Sequence, residues 1–437
     1  MKPYPEYKDS GVEWIGEIPS HWVICPLKYH TRHNINLLPE DTHSSYKLQY
    51  IEISDVNSNG DILGKTEYKF EDAPSRCRRV LYKGDVLIST VRTYLKSISF
   101  IEEDVNDWVC STGFCVLSSN PSLVSKFLFY MVRTEWFVSQ VISNSVGVSY
   151  PAITPTDLVD LDILFSPLPE QQQIVSYLDE KTQQIDQLIQ NKEQKIKLLQ
   201  EKRTAVINHA VSKGLNPDVE MKNSGVEWIG EIPKGWTWVK LKFISNQVVD
   251  GTHNTPEYVE NGIPFLRVTD IHEETVDLTK VKFISTKEHE ELSKRCKPEK
   301  GDLLLSKNGT IGITKVVDWD FEFSVFVSLC LIKFKKDLYS PYFFSYLFQS
   351  TVIDEQIRKS SKTSTVTNLH LDQIREFSLI EPTLFEQTQI VSYLDEKNKQ
   401  IDQLISQEQR KIELLKEYRQ SLISDAVTGK IDVREAV

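Results

Sequence analysis

Two stretches of the chain, Glu170–Ser212 and Glu386–Thr428, carry apolar side chains at steps of three and four residues and contain neither glycine nor proline. This spacing places the apolar side chains on one narrow stripe of a helix, as in a coiled-coil seam. A proline lies shortly before each stretch and a glycine just after it, which is typical of a helix start and stop. Each predicted helix is about 65 Å long at about 1.5 Å per residue, far longer than a common globular helix.

The stripe predicts an interface on each helix. Its positions are Ile174, Leu178, Ile185, Leu188, Ile196 and Leu199 in the first helix, and Ile390, Leu394, Ile401, Leu404, Ile412 and Leu415 in the second. Polar residues interrupt the first stripe at Lys181, Lys192 and Arg203, so a lone helix would be poorly stable in water. We therefore expect the two helices to pack against each other or against a partner. The alternative is an ordinary helical hairpin that only forms a core.

The chain is an internal duplication. The decapeptide SGVEWIGEIP occurs twice without a change, at Ser10–Pro19 and at Ser224–Pro233, and the two helix sequences are nearly identical. The order is decapeptide, globular segment and helix, followed by the same order again. A period of about 215 residues is too long for a solenoid and indicates two copies of one unit.

The two globular segments share landmarks but little else. Tyr50–Asp55 matches Phe265–Asp270 as a predicted strand, and Gly84–Ser89 matches Gly301–Ser306 as a turn that enters a buried strand. We expect each segment to be a compact α+β domain of short strands. Because the helices and decapeptides are alike while the loops differ, we infer a constant frame that carries two domains with different ligands. Such pseudo-symmetry commonly mirrors symmetry in what a protein binds.

Composition bounds the class of protein. With 437 residues and 40% hydrophobic content, the chain is long and apolar enough for two to four domains. We find no apolar run of about 18 residues and no signal peptide at the start, so we expect a cytoplasmic protein. Six cysteines without a Cys-x-x-Cys pair give no reason to expect a metal site. The net charge of −11, taken alone, argues against nucleic acid as a ligand.

Taken together, these motifs resemble the specificity subunit of a type I restriction–modification system. They are the decapeptide with its following tryptophan (Trp22, Trp236), the strand at Phe265–Ile271, the GDxLxS turn, and the run PLPEQQQIVSYLDEKTQQID. The resemblance covers essentially the entire chain. It implies an α+β fold with two α/β target-recognition domains, related by duplication and separated by two long helices that form an antiparallel coiled coil.

The resemblance also implies a function. Each target-recognition domain would read one half of a bipartite double-stranded DNA target, while the helices would set the spacer and dock two methyltransferase subunits. We accordingly divide the chain into an N-terminal box (1–21), target-recognition domain 1 (22–167), a long helix (168–213), a linker with the repeated box (214–235), target-recognition domain 2 (236–382), a second long helix (383–428) and a C-terminal tail (429–437).

The resemblance implies no catalysis in this chain. The sequence has no His-Glu-x-x-His, no Gly-x-Ser-x-Gly and no Asn/Asp-Pro-Pro-Tyr/Phe motif, and Gly60–Thr66 is one residue short of a phosphate-binding loop. S-adenosylmethionine, ATP and Mg²⁺ are expected in the partner methyltransferase and restriction subunits, and no membrane partner is expected. The alternatives are a non-catalytic coiled-coil protein-interaction scaffold, which the acidic charge favours, and a nuclease or methyltransferase in its own right.

Candidate DNA contacts are basic and amide side chains on loops, because base edges and phosphates need directed donors and acceptors. The alternative for each is an ordinary solvated loop. The candidates are Arg76, Arg78, Arg79, Arg92 and Lys96 in the first domain, and Thr252, His253, Asn254, Lys307, Asn308, Lys359 and Lys362 in the second.

Overall fold

The computed structural model describes residues 2–12, 15–271, 275–360 and 368–434. The chain divides into two compact units. Unit 1 comprises Met1–Lys192 with Arg410–Val437, and unit 2 comprises Glu193–Gln409. Each unit therefore holds one decapeptide, one globular domain and a segment of each long helix.

Unit 1 contains mostly short strands. They are β1 (Tyr7–Asp9), β2 (Glu17–Pro19), β3 (Val23–Pro26), β4 (Thr31–His33), β5 (Lys47–Ile51), β6 (Thr66–Lys69), β7 (Cys77–Val80), β8 (Val86–Ser89), β9 (Ile98–Phe100), β10 (Trp108–Ser111), β11 (Phe114–Ser119) and β12 (Asp162–Phe165). The helices are α1 (Ser125–Val132), α2 (Glu135–Ser143), α3 (Pro155–Val159) and the first long helix, α4 (Leu168–Lys213).

Two four-stranded sheets make up the domain of unit 1, with strand orders β6-β5-β10-β7 and β4-β11-β8-β9. In the first sheet β10 runs parallel to β5, while the second sheet is antiparallel throughout. A separate pair, β3 and β12, joins the two ends of the domain. The main core of the unit forms around Trp22, Phe127 and Phe137, which are fully buried.

Unit 2 repeats this order. Its strands are β13 (Met221–Asn223), β14 (Glu231–Pro233), β15 (Thr237–Lys240), β16 (Ser245–Asp250), β17 (Tyr258–Val259), β18 (Ile263–Leu266), β19 (Lys282–Ile284), β20 (Leu303–Ser306), β21 (Thr314–Val316), β22 (Ser324–Val325), β23 (Leu329–Phe334) and β24 (Ser378–Glu381). Its helices are α5 (Leu241–Ile244), α6 (Thr286–Ser293), α7 (Pro341–Phe348), α8 (Thr351–Ser360), α9 (Leu371–Arg375) and the second long helix, α10 (Leu384–Val427).

The sheets of unit 2 have the orders β16-β23-β20-β21 and β17-β19-β18-β22. Each corresponds to a sheet of unit 1, and the parallel pairing of β5 with β10 recurs in β18 with β22. The second sheet differs at its edges, because α6 stands in the chain where unit 1 has β7, and β17 is an additional strand. The predicted α+β class with two related domains and two long helices is confirmed.

The strands predicted at Tyr50–Asp55 and Phe265–Asp270 are shorter than expected. Each strand ends after two residues of the motif, and a 3₁₀ turn follows, at Ile53–Asp55 in unit 1 and Val268–Asp270 in unit 2. The motif's aspartate explains the turn, because its carboxylate accepts a hydrogen bond of 2.8 Å from the backbone N–H three residues earlier.

Each repeated decapeptide supplies the second strand of a hairpin that receives the end of a long helix, and the first strand lies just before it in the chain. β1 pairs with β2 and β13 with β14, both antiparallel. The helix ends at a glycine in the left-handed region, Gly429 (φ +75°) in unit 1 and Gly214 (φ +77°) in unit 2. A Cβ at Gly429 would lie 2.5 Å from the ring of Pro19. The glycine is thus needed both for its backbone angle and for its close packing on the hairpin.

Identical side chains fasten each domain to the start of a long helix. Gln171 is buried and donates to the carbonyl of Ser166 at 2.7 Å, while accepting from the N–H of Val124 at 2.8 Å. Gln387 does the same with the carbonyl of Pro382 and the N–H of Ser340. These contacts tie the helix start to the first turn of α1 or α7, which gives a physical reason for the repeated glutamine.

A second clamp lies about two turns further along each helix. The hydroxyl of Tyr130 donates to Asp179 at 2.6 Å, and that of Tyr346 donates to Asp395 at 2.6 Å. Both aspartates belong to the repeated sequence SYLDEK. The frame therefore holds the two domains by the same contacts.

Each unit packs a segment of α4 against a segment of α10. In unit 1, Ile174 and Leu178 share a core with Leu422 and Ala426. In unit 2, Lys195 pairs with Glu408 at 3.0 Å and Arg203 pairs with Asp402. The α10 partner number falls as the α4 number rises, so the segments run antiparallel.

The seam departs from the predicted stripe at two positions. Leu188 is 48% exposed and Leu404 is 40% exposed, so neither is buried within this chain, whereas Ile185 and Ile401 are each 5% exposed. A coiled-coil seam alternates steps of three and four residues along the helix. The step of four from Ile185 places the partly buried Ile189 on the seam, where Leu188 was predicted. Of the remaining predicted positions, Ile390, Leu394 and Ile412 are also buried, while Ile196, Leu199 and Leu415 are half-buried.

No helix in the described part of the chain is both long enough and apolar enough to span a bilayer.

Candidate nucleic-acid interface

In unit 1, an open cleft of about 830 Å³ lies where β8 ends. Its lining includes Arg76, Arg92 and Tyr150, the polar side chains of Asn57 and Ser111, and one carboxylate, Glu52. The lining thus combines two cations, directed hydrogen-bonding groups and an aromatic ring, which are the side-chain types that contact phosphates and bases.

The loop that follows β8 presents Arg92 in an unusual backbone conformation. Arg92 (φ 52°) and Lys96 (φ 54°) both adopt the left-handed region and flank the 3₁₀ turn Thr93–Leu95. Such a conformation costs a non-glycine residue roughly 1–2 kcal/mol. The guanidinium of Arg92 lies 4.6 Å from the ring centroid of Tyr150, and Lys96 pairs with Glu135 at 2.8 Å. Arg92 is exposed, so its charge remains available to a ligand.

The three clustered arginines of the first domain are in different surroundings. Arg76 is exposed at the cleft, and Arg78 stacks over Phe70 with its guanidinium 5.2 Å from the ring centroid. Arg79 differs from the prediction: its Nε and Nη1 are shielded from solvent and meet no hydrogen-bond partner within the described residues. Burial lowers the pKa of its guanidinium. Arg76 is therefore open to solvent, whereas Arg78 and Arg79 are half-buried.

Unit 2 has a cleft of about 510 Å³ at the corresponding end of β20. Its floor is Asp250, the last residue of β16, which is 3% exposed. Its carboxylate lies 3.2 Å from the buried ammonium of Lys307 and also pairs with Arg295. Burial acts to raise the pKa of Asp250, but the hydrogen bond from Lys307 and the charges around it outweigh burial and hold that pKa below its usual value.

Lys307 therefore differs from the prediction that it contacts DNA. It is 5% exposed, because Asp250 draws its ammonium into the domain. The signal that sequence reasoning missed is the non-local pairing of this lysine with an aspartate on another strand. Asn308, next to it, is half-buried on the cleft wall.

The polar loop after Asp250 remains available. His253 and Asn254 are exposed, and the His253 ring lies 3.2 Å from Asp250. Thr252 is half-buried and closes the loop by accepting from the N–H of Asn254 at 3.2 Å. Arg295 and Arg375, which were not predicted, also line the cleft. These arginines come from segments that carry no recognisable motif, so only the fold brings them to the site.

Lys359 is exposed but already has partners within the chain. Its ammonium pairs with Glu227 at 3.0 Å and lies 4.5 Å from the ring centroid of Trp228, both in the repeated decapeptide. The lysine thus attaches the end of α8 to the frame. Lys362 lies outside the described residues. No cluster of histidine, cysteine or carboxylate side chains suited to a metal ion occurs in the described ranges.

The two clefts occupy one place in the fold. In unit 1, Thr90 accepts from the N–H of Ile153 at 2.9 Å and donates its own N–H to Gly113 at 2.8 Å. In unit 2, Lys307 makes the same two bonds with Leu369 and Ser328, at 2.9 Å each. Lys307 is therefore the counterpart of Thr90. Counting onward, Gly309 (φ +71°) is the counterpart of Arg92.

The model of the type I restriction modification DNA specificity domain matches this sequence twice, over residues 33–198 and 233–414. The chain belongs to this specificity family. It carries the family's domain once in each unit, and each copy includes one of the two clefts. Two specificity domains in one chain are consistent with recognition of a bipartite target.

Relatives of known name agree with this membership. The chain is 26% identical over 457 residues to the type I restriction enzyme MjaIX specificity subunit of Methanocaldococcus jannaschii, covering 98% of this chain and 97% of that one. It is 25% identical over 328 residues to the EcoBI specificity subunit of Escherichia coli, covering 72% and 68%.

Solved structures show the same specificity-subunit fold. A chain from work on complex assembly and conformational transition of the type I R-M system aligns with a TM-score of 0.74 at 23% identity, covering 95% of this chain and 99% of that one. The HsdS subunit from Thermoanaerobacter tengcongensis aligns with a TM-score of 0.55 at 24% identity, covering 95% and 98%.

Proposed function

We propose that this chain is the non-catalytic DNA-recognition subunit of a type I restriction–modification complex. Each specificity domain reads one half of a bipartite double-stranded DNA target, with its cleft facing the duplex. The observation that carries the proposal is the contrast between identical clamps and different clefts. Gln171 and Gln387 fasten the domains alike, whereas Arg92 lines one cleft and the Asp250 cluster lines the other.

The acidic net charge is compatible with this function, because cations need only be concentrated where phosphates lie. The first cleft has Arg76 and Arg92 against one carboxylate. The second has Arg295 and Arg375 around the internally paired Asp250, with Asp372 as its other carboxylate. These exposed cations supply the phosphate and base contacts, together with the amides and hydroxyls on the same walls.

The two long helices supply the constant part of the proposal. They set the spacer between the half-sites and dock two methyltransferase subunits, with which restriction subunits assemble. Adenine methylation with S-adenosylmethionine and ATP-driven, Mg²⁺-dependent cleavage belong to those partners. A flipped adenine would enter the methyltransferase pocket, since its target atom is inaccessible within a duplex.

The test is a footprint of the chain assembled with its methyltransferase subunits on a library of random duplexes. We expect selection of two short sequence blocks separated by a spacer of fixed length and free sequence. Retention of all sequences alike, or of none, would instead favour the protein-interaction scaffold. One continuous block would contradict the assignment of one half-site to each domain.

A further inference from the structure

A loop of unit 1, Val146–Ala152, exposes an unusual set of side chains beside the first cleft. Val146 is 81% exposed, Val148 is 102% exposed and Tyr150 is 62% exposed. Single exposed apolar residues are normal on protein surfaces. Three within five positions, next to the cleft that carries Arg92, form a concentrated apolar tip, which we name the valine loop.

The valine loop is held in shape by its backbone. The N–H of Val146 donates to the carbonyl of Ala152 at 2.8 Å, and the N–H of Ala152 donates to the carbonyl of Val146 at 3.0 Å. Gly147 (φ +112°) makes the turn, where a Cβ would lie 3.1 Å from the carbonyl oxygen of Tyr150. The valines therefore project from a preformed loop and need little ordering on binding, which favours affinity.

The same loop is tied to the basic loop after β8. The N–H of Arg92 donates to the carbonyl of Pro151 at 2.8 Å, and its guanidinium stacks on Tyr150. One ligand can thus meet a cation and an apolar tip together. Charge complementarity identifies that ligand as the phosphate-lined groove of a duplex, because Arg76 lies in the same cleft.

We propose that the valine loop reads a thymine in the half-site of the first domain, with Val148 contacting the C5-methyl group in the major groove. This inference rests on the proposed function. The thymine methyl is the apolar feature that base pairs present in the major groove, and it is read by apolar side chains. An arginine alongside pairs with guanine through its O6 and N7 atoms. Val148 and Arg92 then specify neighbouring base pairs.

The experiment uses the complex with its methyltransferase subunits and the half-site established by footprinting. Each thymine of the first half-site is replaced singly by deoxyuridine, which removes only the methyl group. We expect one replacement to weaken binding about fourfold, the effect of withdrawing one apolar carbon from contact. Val148→Ala should weaken binding to the thymine duplex by a similar factor and leave binding to that deoxyuridine duplex unchanged.

The matched control is Val23→Ala, the same substitution at an exposed valine on β3, and it should bind both duplexes as the unaltered chain does. If Val148→Ala and deoxyuridine each weaken binding independently, so that their factors multiply, the inference is overturned. A first half-site without any A·T pair would also overturn it. The same holds if 2-aminopurine fluorescence shows that the loop unstacks a base step, or if Val148→Ala no longer assembles with the methyltransferase subunits. Absence of any selective footprint would instead reject the proposed function.

Discussion

The two clefts are built on the same backbone pattern but place their charges differently. In unit 1, the left-handed position after the strand is Arg92, exposed beside Tyr150; in unit 2 it is Gly309, and the nearby Lys307 points inward to Asp250. The first cleft thus presents a cation directly, at a cost in backbone strain. In the second cleft the ion pair of Asp250 and Lys307 is buried in the lining, and Arg295 and Arg375 are the exposed cations. The duplicated frame therefore carries two clefts of different chemistry at the same place in the fold.

The ion pair of the second cleft gives the largest expected effect. Asp250→Asn leaves the ammonium of Lys307 buried without its charged partner, which costs about 3 kcal/mol of unit 2 stability. Hydrogen exchange of peptides from β20 and β23 should accelerate, while peptides from β8 and β11 keep their rates. The matched control is Asp372→Asn in the same cleft, where the side chain is 95% exposed and the effect should be within about 0.5 kcal/mol.

Equal protection in the β20 peptides of the unaltered chain and of Asp250→Asn would show that the pair does not organise the cleft.

The turns that lead into β8 and β20, the strands at whose ends the clefts lie, offer a second contrast between the units. Asp302 is buried and pairs with Lys333 at 2.9 Å, whereas its counterpart Asp85 accepts from the hydroxyl of Ser118 at 2.6 Å. Asp302→Asn should destabilise unit 2 by about 2 kcal/mol, because it leaves the partly buried Lys333 with only the more exposed Glu299 as its charged partner. Asp85→Asn should change unit 1 stability little at neutral pH, since an amide can satisfy the same neighbours. Chemical denaturation followed by unit-resolved hydrogen exchange measures both, and equal losses would refute the contrast.

Substitutions of Arg92 should change DNA affinity and the stability of unit 1 in different directions. Arg92→Gly relieves the left-handed strain and should stabilise unit 1 by about 1 kcal/mol, while weakening DNA binding about tenfold. The slope of the logarithm of the binding constant against the logarithm of salt concentration should fall by about one released counterion. Arg92→Gln keeps the strain and loses the charge, so it should weaken binding without the gain in stability. Lys359→Gln is the charge control and should leave the salt slope unchanged, because its ammonium already pairs with Glu227. Parallel losses of affinity and stability in Arg92→Gly would argue for a purely structural arginine.

The smallest expected effect is a pH dependence confined to Asp85. Burial raises the pKa of this carboxyl above its usual value and outweighs the hydrogen bonds from Ser118 and Tyr82, which act to lower that pKa. The folded unit therefore holds the proton more tightly than the unfolded chain, and this stabilisation is lost as pH rises through the folded-state pKa. The unaltered chain should therefore lose stability relative to Asp85→Asn as pH rises from about 4 to 7, by less than the change expected at Asp302, and the melting temperatures of the two chains across this range measure it. A difference independent of pH would show that Asp85 does not titrate in this range.

Local signals in the sequence predicted the frame well. The long helices, the repeated hairpins and the glycine–aspartate turns each depend on residues close together in the chain. Leu188 and Leu404 are exposed because two apolar residues adjoin at each point, and only packing decides which one faces inward. A contact of these two leucines with a partner stays a prediction. Lys307 and Lys359 could not be placed from sequence, since their partners are distant in the chain. The predicted contact residues that are exposed stay predictions until DNA binding is measured: Arg76, Arg92, His253, Asn254 and Lys359.

The central claim, that each domain reads its own half of the target, is tested most directly by domain exchange. Residues Trp22–Ser166 are replaced by the first specificity domain of a relative with a different target, and genomic DNA from cells expressing the complex undergoes methylation-aware sequencing. We predict that one half of the methylated sequence changes to that of the relative, while the other half and the spacer length remain the same. A change in both halves, or in neither, would contradict the account.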